Sequence, residues 1–257
     1  MLAVCACRPR LIIVHTNDTH SHFEPLRGGE LDGRGGVIER AAFLDSLRNA
    51  EGEDRVLLLH AGDFSQGTSY FSVFGGRLEM DVINDMHYDV MTLGNHEFDN
   101  GIEALTERVK MLKDTKIVCA NLDLSPFELG EYVKPCCVVE RGGMRIGVIG
   151  LETDLTKVVS KLVSSRIPAL DNAVEVNRWA DYLRDTEKCD MVVLLSHLGY
   201  EDDKALVPQI HGVDLVIGGH SHTCVEDIVY VRDSRFRKVG IVTDWKWGLE
   251  LGLVRVY

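Results

Sequence analysis

The residues best suited to chemistry in this 257-residue chain are Asp, Asn and His gathered in five short clusters. Asp18 and His20 stand in "NDTH", Asp63 in "AGDF", and Asn95 with His96 in "GNHEF"; His197 follows "VVLLS", and His220 and His222 form "GGHSH". An Asp-x-His pair is common by chance, and Asp after Gly is usually a turn residue. The His-x-His pair after two glycines says more, because alternate residues of extended chain share a face and glycine lets the backbone come close. All five clusters together are hard to explain as loop decoration. Buried polar side chains need partners, and converging Asp and His residues are most readily satisfied by cations. Nitrogen and carboxylate donors suit Zn, Mn or Fe more than Mg. Asn95 and His96 are neighbours at a strand end and point in different directions, so one cation is not expected to take both.

Position supports this chemistry. Apolar runs at 11–16, 55–61, 89–93, 116–121, 144–151, 190–197 and 213–219 read as buried strands. The clusters lie at their C-terminal ends, where ligand sites collect in open α/β sheets. Amphipathic stretches separate them: Ile102, Leu105, Val109 and Leu112 share a helical face, as do Leu78, Val82 and Met86, and Val176, Ala180 and Leu183. After residue 220, "CVEDIVYV", "KVGIVTDW" and "LELGLVRVY" read as consecutive strands. The chain is therefore expected to begin βαβα and end as a β-meander, in a mixed α/β sandwich of one domain spanning residues 11–257.

Composition narrows the class. A net charge of −12 without a basic stripe argues against nucleic acid. An anionic substrate would have to be drawn by a bound metal. Seven cysteines without a CxxC pair indicate neither a zinc cluster nor a disulfide framework. Cys119 and Cys189 are expected to pack in the core, and no role attaches to the vicinal Cys136 and Cys137. Residues 1–10, "MLAVCACRPR", read either as the end of a lipoprotein signal, with Cys7 bearing the lipid, or as a disordered tail. The lipoprotein reading would place the protein in the periplasm or cell envelope. His15 and His60 are expected inside strands, and His22, His87 and His211 at surface or turn positions. Trp179 is expected on a packed helix face and Trp245 and Trp247 in the meander, with no base-stacking role.

The order DxH, GD, GNHE, H, GHxH resembles the calcineurin-like metallophosphoesterases. The fuller wording "HTNDTHSHFEP", "HAGDFSQGT", "GNHEFDNG", "CANLD" and "GGHSHT" is similar to the catalytic domain of the 5′-nucleotidase branch. The resemblance runs from about Leu11 to the C-terminus. It implies a four-layer α-β-β-α sandwich of two mixed sheets, with a dinuclear metal site at the strand C-terminal ends. It implies Asp18, His20, Asp63 and His222 as ligands of one divalent ion. Asp63, Asn95, His197 and His220 would hold the other, Asp63 bridging. Some family members carry Gln where His222 stands, and His is an equally competent ligand. Asn95 would also touch the phosphate, while His96, oriented by Asp99, would assist the leaving group. Asp99 has a structural alternative as a helix cap, since Asn100 and Glu103 have capping-box spacing. The implied reaction is metal-dependent hydrolysis of a small phosphate ester of 5′-nucleotidase type. Phosphodiesterase, UDP-sugar or cyclic-nucleotide hydrolysis, and a catalytic-domain subunit of a complex, are the competing functions. Larger 5′-nucleotidases continue into a substrate-binding domain, for which a separate chain is the partner this reading implies.

Overall fold

The structure, a computed structural model, describes residues 8–257; the expectation attached to Cys7 lies outside the described residues. The strands are β1 (Leu11–Thr16), β2 (Val56–His60), β3 (Val90–Thr92), β4 (Lys116–Val118), β5 (Val133–Lys134), β6 (Cys136–Arg141), β7 (Met144–Glu152), β8 (Met191–His197), β9 (Leu215–Gly218), β10 (Val229–Arg232), β11 (Lys238–Val242) and β12 (Gly252–Val256). They form two six-stranded sheets, ordered β12-β1-β2-β3-β4-β5 and β10-β11-β9-β8-β7-β6. Both are mixed. In the first, β12 is antiparallel to β1 and the remaining pairs are parallel. In the second, the antiparallel pairs β10–β11 and β6–β7 flank parallel ones.

Burial assigns the layers. Ile13, Leu57 and Leu59 of the first sheet meet Val148, Val193, Leu195 and Ile217 of the second in a core between the sheets. The alternate residues Ile12, Val14 and Leu58 face outward, under the helices α1 (Val37–Glu51) and α3 (Arg77–Met86), between which α2 (Ser69–Phe74) lies in the chain. Helix α4 (Ile102–Val109) and the one-turn helices α5 (Leu129–Tyr132), α6 (Leu155–Val158) and α7 (Lys161–Ser164) enclose a third cluster around Phe98. The outer face of the second sheet is covered by α8 (Asn172–Asp181) and α9 (Tyr200–Leu206). Strands buried on both faces read as continuous apolar runs, which is why these were visible in the sequence. The result is the expected α-β-β-α sandwich.

Three sequence expectations need correction. The last three strands are no meander: β10 and β11 form a hairpin in the second sheet, whereas β12 crosses to the first and pairs with β1. Alternation identifies a strand but carries no information about its partner. Strand β6 was missed, because as the edge of its sheet it is half-exposed and weakly patterned. On it, Cys136 packs against the outer cluster and Cys137 against the core between the sheets, so the vicinal pair splits across the pleat. In α3 the buried face centres on Met80, Ile83 and Met86, with Leu78 and Val82 flanking it.

Candidate metal centre

All five clusters meet at one edge of the sandwich, where β1, β2, β3, β8 and β9 end. The loops after β1 and β2 are laced together: the Asp18, His20 and Ser21 amides donate to the carbonyls of Gly62, Asp63 and Phe64. Glycines allow the close approach. A Cβ on Gly94 would stand 2.3 Å from both the amide nitrogen and Oδ1 of Asp63, and one on Gly219 2.6 Å from the Ala61 carbonyl. Asp18, His20, Asp63, His220 and His222 all have positive φ, between 46° and 71°. Each is a non-glycine residue in the left-handed region, at a cost of order 1–2 kcal/mol. Such strain collects at functional sites.

The side chains fall into two groups whose donor atoms lie within 4.8 Å of one another: Asp18, His20 and His222, and Asp63, His197 and His220. His20 Nε2 is 3.0 Å from His222 Nε2 and 3.7 Å from Asp18 Oδ1. His197 Nε2 is 3.0 Å from Asp63 Oδ2. Asp63 Oδ2 is also 3.9 Å from His20 Nε2, so this carboxylate touches both groups. His197 Nδ1 is committed to the Ala61 carbonyl at 2.7 Å, which turns Nε2 toward Asp63. A third group joins His20 and Asp63 with His96.

Cations fit this donor set. Asn95 Oδ1 is fully buried and has no hydrogen-bond partner, a state that costs a polar atom roughly 1–3 kcal/mol unless something binds it; His197 Nε2 is equally buried, with Asp63 Oδ2 beside it at 3.0 Å but not in hydrogen-bonding geometry. Asp18 and Asp63, each with 2% exposure or less, lie among the imidazoles of His20, His96, His197, His220 and His222. Burial works to raise the Asp63 carboxyl, but His197, His20 and His96 hold it well below the ordinary range. Burial lowers His20 and His220, favouring the neutral imidazole that ligates metal.

His96 is turned differently. Its backbone amide donates to Asp63 Oδ1 at 2.9 Å, while its Nδ1 lies 2.8 Å from Asp99 Oδ2. The bond to Asp99 raises the imidazole above its ordinary value against the effect of burial, with Asp63 adding to the rise. Asp99 does not cap α4: the N-cap is Gly101, without a side-chain bond, and the Asn100–Glu103 box does not form.

The remaining histidines are occupied elsewhere. His15 Nδ1 pairs with Asp244 at 2.7 Å. His60 lies 3.0 Å from Thr19 Oγ1 and accepts from the Gly62 amide, and burial pushes it down to about 3. His22 stacks on Trp247, and His211 pairs with Asp181. His87 closes α3 in the left-handed conformation. Trp179 is partly buried against the outer cluster, as expected.

Sequence reasoning missed several supporting residues. Glu97, completely buried, accepts from the amides of Asp63, Ser65 and Gly94 and so ties the β2 loop to the β3 loop. Arg108 lies under it, bonded to the Glu97 carbonyl and Ser65 Oγ. Asn17 accepts from the Asp244 amide and donates to Asp18 Oδ2 and the Trp245 carbonyl. "GNHE" offered Glu97 as a signal; Arg108 lies in the last turn of α4 and had none. A cavity of about 700 Å³ around Arg48, Asp89, Lys116 and Arg141 lies at the opposite strand ends and contains none of these residues.

Two packed mixed sheets with this donor cluster at their edge define a metallophosphoesterase fold. The model of the calcineurin-like phosphoesterases matches residues 11–224, and the chain belongs to that family. A probable 5′-nucleotidase of Treponema pallidum is 35% identical over 246 residues, covering 88% of this chain and 40% of the relative. Human 5′-nucleotidase is 32% identical, over 96% of this chain and 46% of the relative. The crystal structure of a 5′-nucleotidase precursor from Thermus thermophilus superimposes with a TM-score of 0.87 and 34% identity, covering 95% of this chain and 50% of that one. The chain thus spans about half or less of the length of these relatives.

Proposed function

We propose that the chain hydrolyses nucleoside 5′-phosphates with the help of two divalent cations. The observation that carries this is the meeting, at one edge, of two buried donor groups sharing Asp63, with Asn95 Oδ1 and His197 Nε2 making no hydrogen bond between them. Asp18, His20 and His222 would hold one ion and Asn95, His197 and His220 the other, with Asp63 common to both. Bound there, two cations supply a hydroxide nucleophile near neutral pH and offset the charge of the phosphate. The nitrogen-rich donor set favours Zn, Mn or Fe.

The protein's own part lies in positioning and proton delivery. Were Oδ1 to ligate a cation, the Asn95 amide nitrogen would be left to donate to a phosphate oxygen. Asp99 fixes Nδ1 of His96, so the transferable proton sits on Nε2, ready for the departing alkoxide. The Mn²⁺-loaded protein is expected to release phosphate from AMP faster than it cleaves a UDP-sugar, a 2′,3′-cyclic nucleotide or bis-nitrophenyl phosphate. Preference for any of the last three would replace this reading with phosphodiesterase or pyrophosphatase chemistry. Silence on all four with metal bound would replace it with a binding subunit.

Two further proposals concern context. A separate chain carrying a substrate-binding domain is one partner this reading proposes, tested by whether such a chain raises AMP turnover. The relative from Thermus thermophilus is a precursor, which supports a place in the cell envelope. No helix among the described residues is long and apolar enough to cross a membrane. Recovery of the protein from the cytosolic fraction of its host would refute that placement.

A further inference from the structure

Glu152 is the last residue of β7 and pairs in register with His197, the last residue of β8. Residues of one strand alternate between faces, and Ile146 and Val148 point into the core between the sheets. A Cβ on Gly150 would stand 2.1 Å from the Val118 carbonyl and 2.8 Å from Thr92 Oγ1 in the opposite sheet. Glu152 continues that series, so its side chain enters the same layer as His197, where the two sheets open onto the donor groups.

Its surroundings hold it there. The Asn121 side chain, from the "CANLD" motif, grips the Glu152 backbone on both sides, accepting from its amide at 2.9 Å and donating to its carbonyl at 2.6 Å. Glu152 Oε1 accepts from the Thr153 amide at 2.7 Å. Oε2 is fully buried and has no partner. It is thus a third buried polar atom without a hydrogen bond in this region, beside Asn95 Oδ1 and His197 Nε2, the other two being donors of the proposed centre. Glu152 belongs to none of the groups whose donors lie within 4.8 Å of each other, which places it behind the ligands and not among them.

We propose that Glu152 is a third carboxylate of the metal centre, one layer behind His197, where its negative charge strengthens the hold on the cation bound on that side. The assignment rests on the dinuclear site proposed above. Asp18 and Asp63 oppose only two of the four positive charges that two divalent ions bring, and the other ligands are neutral. A buried carboxylate on the His197 side reduces that excess where no solvent does. Asn121 is then a positioning residue, which accounts for the side chain of the "CANLD" motif.

The test is titration of chelator-stripped protein with Mn²⁺ by calorimetry, alongside thermal unfolding of the metal-free forms. Glu152→Gln keeps the shape and removes the charge. It is expected to weaken one of the two Mn²⁺ equivalents by about 10–100-fold, as loss of an outer partner typically does. Its metal-free unfolding midpoint should be unchanged or higher, because a buried acid with an unpartnered oxygen is gone. Glu152→Asp, which keeps the charge, should retain more affinity than Glu152→Gln. A wild-type isotherm from Glu152→Gln overturns the assignment, as does loss of both equivalents together with a lower metal-free midpoint. Wild-type protein that takes up no Mn²⁺ overturns the metal centre itself. Wild-type uptake with an unaltered variant overturns only the role of Glu152.

Discussion

Replacing His96 by alanine separates the two jobs that its position allows. One ring nitrogen lies within 4.8 Å of donors on His20 and Asp63, close enough for His96 to be a ligand. Its bond to Asp99 argues instead for a proton donor. The two roles differ in magnitude and in what they act on. A general acid contributes about 10²–10⁴-fold, or about 2.7–5.4 kcal/mol of barrier, and only where the leaving group needs a proton. The His96–Asp99 pair itself is about one-third exposed on both sides. Its loss should therefore cost only about 0.2–1 kcal/mol of stability, a few degrees at most in the unfolding midpoint. The assay is kcat/KM for AMP and for p-nitrophenyl phosphate, with metal content measured on the same samples. For AMP, whose leaving group is an alkoxide, His96→Ala should lose about 10²–10⁴-fold. The nitrophenyl ester, whose leaving group departs without a proton, should lose much less. A variant that has shed a metal equivalent, or that loses both substrates equally, refutes the general-acid assignment. Asp99→Asn extends the test to pH. The bond to Asp99 is the largest cause of the raised His96 value, so the acid form persists above the ordinary histidine range and is lost as pH rises through the folded value. Removing the carboxylate should move the alkaline limb of AMP turnover to lower pH and cost activity far more than stability.

The other predictions concern stability and metal. Asp203 is fully buried, its Oδ2 has no partner, and burial pushes its carboxyl up to about 8. Its folded value exceeds its unfolded one, so the folded protein binds the proton more tightly and stability falls as pH rises between the two, by about 1.4 kcal/mol per unit. In chemical denaturation, Asp203→Asn should flatten that slope; equal slopes in variant and wild type would show that the group does not titrate there. Gly94→Ala should cost about 1–3 kcal/mol by overpacking and lose metal, because the added Cβ would overlap the Asp63 amide and carboxylate; full metal content in the variant would contradict the close approach. Chelation should lower the unfolding midpoint, since free cation at 100 times its dissociation constant stabilises by about 2.7 kcal/mol; a midpoint indifferent to chelator would contradict cation binding in the folded state.

Much of this was legible in the sequence. Strands buried on both faces appear as apolar runs, and the polar residues that end them can be named before any fold is known. So Asp18, His20, Asp63, Asn95, His197, His220 and His222 were identifiable as a set, and "GNHEFDNG" supplied His96 and Asp99. The sequence also announced Gly94 and Gly219, though not what they make room for. Other features had no local signal. Whether Asp99 caps α4 or holds His96 depends on a turn that leaves Gly101 at the cap. Where β12 pairs depends on a crossing between sheets, because a strand's alternation marks its faces and not its neighbour.

Residue types and their order along the chain determined which atoms could bind a cation. Tertiary structure decided that those atoms come together at one edge. Five candidate ligands sit at positive φ, a conformation their own side chains disfavour and which only the surrounding loops impose. Glu152 was an unremarkable acid at the end of an apolar run until its register with His197 placed it behind the centre. The physical reason is that propensity and periodicity act over a few residues. Convergence, burial and an unpartnered oxygen arise only where segments far apart in sequence are packed against one another.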